Sequence, residues 1–291
     1  MQLHKVITIT TLLVILALTA LVWFFPSNVD FRLENKFWNG ASETLSGPFR
    51  LVESLTDAPA GSTLLLIPYV DFTVSELQTV KDFVVQGGTL ILADDYGYGN
   101  RVLEFLGFKA RFSGRPLLDP LVNYKNQWFP RIVHLNDSPL TEGIENLVLN
   151  HATALMNVPA DEVIAQSSAF SYLDLNANEK QEADEPNGPH PVISRHSLGG
   201  GQVNLVADPS LFINSMSGIE DNHQLIQNIA TLNTTPPLVD QTHLTPSTLH
   251  QTKDLLASAR GSLASPLGTL GVVALALSIT LLPFWRERRQ P

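Results

Sequence analysis

The sequence predicts an α/β domain built on a Rossmann-like, largely parallel sheet and carried between two membrane-spanning helices. Three observations predict it. First, Gly87-Gly88-Thr89-Leu90-Ile91-Leu92-Ala93-Asp94-Asp95 and the stretch from Gly199 to Asp208 share one pattern: glycines, an apolar strand, then Ala-Asp. Second, a helical pattern between Thr63-Leu64-Leu65-Leu66-Ile67 and Thr89 to Ala93 gives βαβ spacing, for which the crossover is right-handed. Third, a charge-free apolar run stands near each end of the chain.

The first run, residues 6–25, is long enough to cross a bilayer core as a helix. Its apolar stretch exceeds a usual signal-peptide core, and no Ala-x-Ala-like site precedes Pro26, which predicts an uncleaved signal anchor. The second run, residues 263–285, holds Pro266, Gly268 and Pro283 near its ends, where a spanning helix tolerates them. Trp23 and Trp285 stand where aromatic anchors are expected at the headgroup level. Lys5 before the first run and Arg286, Arg288 and Arg289 after the second place both termini in the cytoplasm. The expected order is a cytoplasmic terminus (1–5), a span (6–25), an extracytoplasmic domain (26–245), an amphipathic stalk (246–262), a span (263–285) and a basic tail (286–291).

Charge narrows the partners. Of 18 basic and 28 acidic residues, setting aside Lys5, Arg286, Glu287, Arg288 and Arg289 leaves 14 basic and 27 acidic between the flanks, a net of −13. Such a surface repels nucleic acid and anionic lipid and suits a domain that meets cations. The chain has no cysteine, so disulfides, thiol chemistry and a lipoprotein anchor are excluded.

Within the exterior segment, Phe31 to Ser42 mixes aromatic and polar residues around an Asn39-Gly40 turn; Asn35, Trp38 and Ser42 are candidate ligand contacts. Residues 43–55 look helical. After the buried strand beginning at Ser62, Thr73-Val74-Ser75-Glu76 forms a capping box, and Val74, Leu77, Val80, Phe83 and Val84 share one helical face that ends at Gly87-Gly88. Asp94 and Asp95 close the next strand and are candidate ligand contacts. Gly97-x-Gly99 before a short helix (101–106) has the form of an anion cradle, but two adjacent aspartates repel phosphate. A strand is expected at 108–112; from Gly114 to Ala169 prolines cut the chain into pieces, with strands expected at 131–135, 147–151 and 163–166.

Asp174-Leu175-Asn176-Ala177-Asn178-Glu179-Lys180-Gln181-Glu182-Ala183-Asp184-Glu185 has the ligand register of a calcium loop. Asp174, Asn176, Asn178, Glu182 and Glu185 supply side-chain oxygens, and Lys180 a carbonyl. Glu179 stands where such a loop wants glycine, and a solvated acidic loop is the alternative. A rigid turn at Pro186 to Pro191 leads into a strand (192–195), a hairpin turn, and the strand Val203 to Ala207. Ser210 follows the Asp208-Pro209 corner without the glycines of a nucleophile elbow. Ser210, Asn214, Asp221 and Asn222 are further ligand candidates, with Asp221 or Asn222 capping a helix over 222–232. Asp208, Asp240 and His243 are the candidates for acid–base chemistry, because sites in such sheets lie beyond the carboxyl ends of strands. The remaining exterior histidines are scattered singly.

Ser171 to Val192 and Gly199 to Asn222 together resemble the family known as domain of unknown function 4350. The resemblance rests on Tyr172-Leu173-Asp174-x-Asn176-x-Asn178, Gly188-Pro189-x-Pro191-Val192, Asp208-Pro209-Ser210-x-Phe212-x-Asn214 and Asp221-Asn222. Asn35-x-x-Trp38-x-Gly40-x-Ser42 and Asp240-x-x-His243 are also similar to it. It implies a membrane-anchored protein whose exterior domain has a class I glutamine-amidotransferase-like fold. Amidotransferases of that fold use a cysteine that this chain lacks. The resemblance further implies a link to AAA+ ATPases of the MoxR type. The expected function is a non-catalytic, ligand- or partner-binding membrane protein; the rival is a hydrolase of an envelope substrate using Asp208, Asp240 and His243.

Overall fold

A computed structural model describes residues 3–45, 47–52, 54–245, 247–274 and 277. It divides into two compact units, residues 1–27 with 246–291, and Asn28–Thr245.

In the first unit, helix α1 (Leu3–Phe24) contains a 19-residue segment, Val6–Phe24, with mean hydropathy 2.5 and no buried residue. It is long and apolar enough to cross a membrane. Helix α6 (Thr248–Ala264) opens at Ser247, whose side chain accepts the His250 N–H, and helical backbone resumes over 266–274. Lys253 donates to the Phe25 carbonyl, and the Arg260 guanidinium lies 5.8 Å from the Trp23 ring centroid. Later residues of α6 thus meet earlier residues of α1. Of the expected second span only 263–274 and 277 are described; its remainder and the basic tail lie outside the described residues.

The second unit is a mixed α/β domain around an eight-stranded sheet. Its strands are β1 (Arg50–Val52), β2 (Thr63–Leu66), β3 (Thr89–Ala93), β4 (His134–Leu135), β5 (Val163–Gln166), β6 (Pro191–Leu198), β7 (Gly201–Val206) and β8 (Leu238–Asp240). Their spatial order is β1-β8-β2-β3-β7-β6-β5-β4. The first five are mutually parallel and the last three antiparallel. β2 and β3 are buried at every position, as continuous apolar runs require of strands covered on both faces.

Helix α2 (Val74–Val85) connects β2 to β3 and carries the expected capping box: Thr73 Oγ1 accepts the Glu76 N–H while Glu76 Oε2 accepts the Thr73 N–H. Leu77, Val80, Phe83 and Val84 are its buried face. Helices α3 (Asn100–Leu106), α4 (Asn214–Ser217) and α5 (Asn222–Thr231) complete the domain; α5 turns Leu225, Ile226 and Ile229 into the core.

Several sequence expectations require correction. The described residues of 43–54 form no helix, and Leu55 opens one short 3-10 turn, Leu55–Asp57. The chain turns at 42–45 and 47–48 and then forms β1, because Pro48 lacks an N–H and biases Gly47 away from helical backbone, while β8 offers a parallel edge. The strand expected over 131–135 is two fragments: Arg131–Ile132 pairs with Leu147–Val148, and His134–Leu135 belongs to the main sheet. Those expected at 108–112 and 147–151 shrink to Arg111–Phe112 and Leu147–Val148. The strand expected over 192–195 extends across Pro191–Leu198. Asp221 precedes α5 without a side-chain cap bond.

Candidate ligand-binding edge

The carboxyl ends of the five parallel strands form one edge of the sheet. β3 ends in Asp94-Asp95, β7 leads into Ala207-Asp208, β8 ends in Asp240, and β2 leads to Tyr69. Ala93 pairs with Val206, so carrying the register forward sets Asp94 opposite Ala207 and Asp95 level with Asp208. Each aspartate meets a different environment.

Asp94 is buried and holds its own loop: Oδ1 accepts the N–H groups of Tyr96 (2.9 Å) and Gly97 (3.1 Å), and Oδ2 that of Gly99 (2.6 Å). Burial raises its carboxyl, and these donors pull it partly back. The glycine N–H groups that resembled an anion cradle already serve this internal anion. Asp208 is also fully buried. Its oxygens accept the N–H groups of Ser210 and Asn150, both at 2.7 Å, so it ties the corner after β7 to the segment before residue 151. Burial pushes it up to about 8; the Asn150 donor opposes this, and Asp95 adds to it.

Asp240 and His243 form a close pair, Oδ2 to Nδ1 at 2.8 Å, and Thr242 also donates to Asp240. Burial raises Asp240, but the bonds from His243 and Thr242 outweigh it and leave the carboxyl low. The other imidazole nitrogen lies 3.7 Å from Glu76 Oε1, and Phe72 stacks on the ring at 3.9 Å. The pair therefore joins the end of β8 to the start of α2. β3 and β2 stand between β7 and β8, which at ~4.8 Å per strand step separates Asp208 from this pair by roughly 14 Å. The three candidates for acid–base chemistry do not come together.

The other ligand candidates divide sharply. Asn35 is buried, bonding the Val29 carbonyl and accepting the Phe37 N–H. Asn214 donates to the carbonyls of Asn35 and Phe37 and to Ser42 Oγ, while its Oδ1 accepts the Glu43 N–H. A Cβ on Gly40 would sit 1.9 Å from the Asn35 carbonyl oxygen, so only glycine fits. Asp221 accepts the N–H groups of Glu145 and Asn146, and Asn222 bonds both backbone groups of Val148. These residues are stitches between distant segments. Trp38 differs, with 68% of its surface exposed.

Asp95 is the aspartate of this edge with an unspent atom. The Tyr69 hydroxyl pulls its carboxyl down, yet Oδ1 is buried with no hydrogen-bond partner. Burial, then the charge of Asp94, pushes this carboxyl up to about 7. Around it gather Tyr69, Tyr96 and Tyr98, with centroids 6.0 Å apart for Tyr69–Tyr96 and Tyr69–Tyr98 and 6.3 Å for Tyr96–Tyr98. Phe31 stacks on Tyr69 at 5.6 Å. Tyr96 and Tyr98 are 67% and 49% exposed. The sequence reading missed these tyrosines; the Tyr96-Gly97-Tyr98 spacing, with glycine freeing the turn at φ 95°, was the available signal.

At the acidic loop, Asp174 and Glu185 are buried and satisfied from within. Asp174 accepts the N–H groups of Asn178 and Glu179, and Glu185 those of Leu175 and Glu182. Asn176 and Asn178 donate to the two oxygens of Glu182, and Asn178 Oδ1 accepts the Lys180 N–H. Ala177 and Glu179 take left-handed backbone at φ 59° and 62°, so Glu179 adopts the turn for which glycine was expected. Among the described residues, no group of three or more His, Asp or Glu side chains is arranged to hold a metal.

One histidine read as isolated is not. His196 lies between Ser194 Oγ (2.9 Å from Nε2) and Glu162 Oε2 (2.6 Å from Nδ1). The order matches a serine–histidine–carboxylate relay, but Ser194 is fully buried within β6, out of reach of a substrate.

A family model described as "Domain of unknown function (DUF4350)" matches residues 47–230. The chain belongs to that family. No curated protein matches it. Among solved structures, it is similar to the mmIFT52 N-terminal domain at 15% identity and a TM-score of 0.43, covering 57% of this chain and 75% of that one. It is also similar to a β-galactosidase from Bacillus circulans sp. alkalophilus (16%, TM-score 0.37, 58% of this chain) and an exo-β-1,4-mannosidase from Opitutaceae bacterium strain TAV5 (16%, TM-score 0.33, 62%). The chain spans 22% and 28% of those two glycosidases. Scores this low carry no functional inference.

Proposed function

We propose that this family member is a two-pass membrane protein whose exterior α/β domain binds a ligand or partner at the carboxyl edge of its sheet, without catalysis. The observation that carries the reading is the division of labour at that edge. Asp208 is committed to a backbone corner and lies apart from the Asp240–His243 pair, whereas Tyr96 and Tyr98 keep exposed faces and Asp95 an unpaired oxygen. The exterior fold is proposed to be glutamine-amidotransferase-like, and the role to be accessory to an envelope or transport complex linked to a MoxR-type ATPase. The contacts of Lys253 with Phe25 and of Arg260 with Trp23 support a second span returning beside the first; both termini are proposed to be cytoplasmic.

Two experiments test this. A photocrosslinker replacing Tyr96 in native membranes should give specific adducts, and one replacing Gln86 at the opposite end of α2 should not; equal labelling from both positions would remove the edge from consideration. Protease added to sealed vesicles should cut residues 28–245 from the exterior side alone.

The Asp240–His243 pair favours a second reading, hydrolysis of an envelope substrate. It requires that His243→Gln abolish turnover in a folded protein. The 174–185 loop is proposed to bind calcium when its internal N–H bonds yield to the ion. Millimolar calcium should raise the melting temperature of the full chain, and Asp174→Asn should cancel that rise.

A further inference from the structure

We infer that the carboxyl edge recognises an organic cation, an alkylammonium or guanidinium group, seated on the exposed faces of Tyr96 and Tyr98 above Asp95. This rests on the edge being the binding surface and assigns its ligand chemistry. Three independent features converge on it.

The first is aromatic. Tyr69, Tyr96 and Tyr98 gather within 6.3 Å of one another, and the outer two rings present much of their surface to solvent. An aromatic face attracts a cation through its quadrupole, and the preference grows for weakly hydrated organic cations. The second is the buried Asp95 Oδ1 without a donor. A buried acceptor left unpaired is costly, and a cation held beside it offsets that cost through its charge, with a direct bond where the cation carries an N–H.

The third is the local field. After burial, Asp95, Tyr96 once ionised, Asp94 and Asp30 all push the Tyr69 hydroxyl the same way, upward. Tyr96 is raised first by Asp95, then by burial and Asp30. Asp30 is exposed, and its carboxylate accepts from Asn39, a neutral donor. Arg101, on α3 nearby in sequence, is paired with Asp71. Carboxylates therefore act on Tyr69 and Tyr96, and no basic side chain is among the causes of either shift. A neutral sugar or an anion would leave that field unbalanced; a cation balances it.

The test titrates the full chain in dodecylmaltoside micelles with choline, methylammonium and 3,3-dimethylbutanol, the uncharged isostere of choline, at constant ionic strength. Binding is read by tyrosine chemical-shift changes in NMR. Choline and methylammonium should saturate, and the isostere should bind at least tenfold more weakly. Tyr96→Ala and Tyr98→Ala should each weaken choline by about threefold to tenfold; Tyr96→Phe, which keeps the ring, should not. Asp95→Asn should weaken both cations. Equal binding of choline and its isostere, lost together in the alanine variants, would overturn the cation assignment while leaving the edge as a binding surface. No saturable cation binding would also overturn it, and crosslinking at position 96 then judges the edge separately.

Discussion

β3 and β7 are two versions of one design whose ends serve different purposes. Both begin at glycines, run apolar through the middle of the sheet, and close in Ala-Asp; they lie side by side, parallel and in register. Yet the aspartates level with each other are Asp95 and Asp208, not the two of the Ala-Asp pairs. Asp208, followed by a proline, is sealed into a corner by backbone donors. Asp95, followed by Tyr96-Gly97-Tyr98, keeps an unpaired oxygen beneath exposed rings. A shift of one residue in register separates a structural corner from a candidate recognition site.

The largest effect that would test this comparison lies at the starts of the strands. A Cβ on Gly201 would meet the Gly88 and Val84 carbonyl oxygens at 2.2 and 2.3 Å, backbone atoms that cannot step aside. A Cβ on Gly88 would meet the Phe83 ring at 2.5 Å, and a ring can repack. Gly201→Ala should cost about 3 kcal/mol and Gly88→Ala about 1 kcal/mol in denaturant unfolding. Equal losses would mean that the two starts are equivalent.

Next come the aspartates. Asp208→Ala strands the N–H groups of Asn150 and Ser210 and should cost about 2 kcal/mol. Asp95→Asn removes a buried, repelled charge and should be neutral or stabilising by about 0.5 kcal/mol. If Asp95→Asn proved the more damaging, the assignment of the two roles would be reversed.

A smaller, pH-dependent effect follows from the raised carboxyls. The folded state holds protons that the unfolded chain releases above 3.8, up to about 7 for Asp95 and about 8 for Asp208. Stability contributed by these groups is therefore greatest in acid and falls as pH rises from about 4 to about 8. Melting curves of the full chain should show this fall, and Asp95→Asn should flatten it below pH 7. Last, Tyr96→Ala should shift stability by less than about 0.5 kcal/mol, since the ring is exposed.

Much of the parallel half was legible because its signals are local. Continuous apolar runs marked β2, β3 and β7, and Thr73 with Glu76 marked the start of α2 within one residue. The span 114–169 was less so, because its two-residue ladders are fixed by partners far away, such as Asp119 with Ser168 and Thr153 with the Ala207 carbonyl, and not by any period of their own. Motif residues told where polar chemistry is concentrated but not whether it is free. Asn35, Asn214, Asp221 and Asn222 look like contacts in a string of letters; their bonds to remote backbone make them fasteners. Tyr96 and Tyr98 went unread because the glycine between and after them suggested an anion cradle, which Asp94 already fills.

The Asn214 stitch also sets the order of events when the chain is made. The turn at 35–43 closes on a residue about 170 positions later, and β1 finds its only neighbour among the described residues in β8. The turn therefore waits until residue 214 has been synthesised, and β1 until residue 240. Such long loop closures fold slowly and leave an open strand edge in the interval. The nascent domain is open to mispairing during that interval, and its vulnerable element is the first one to emerge.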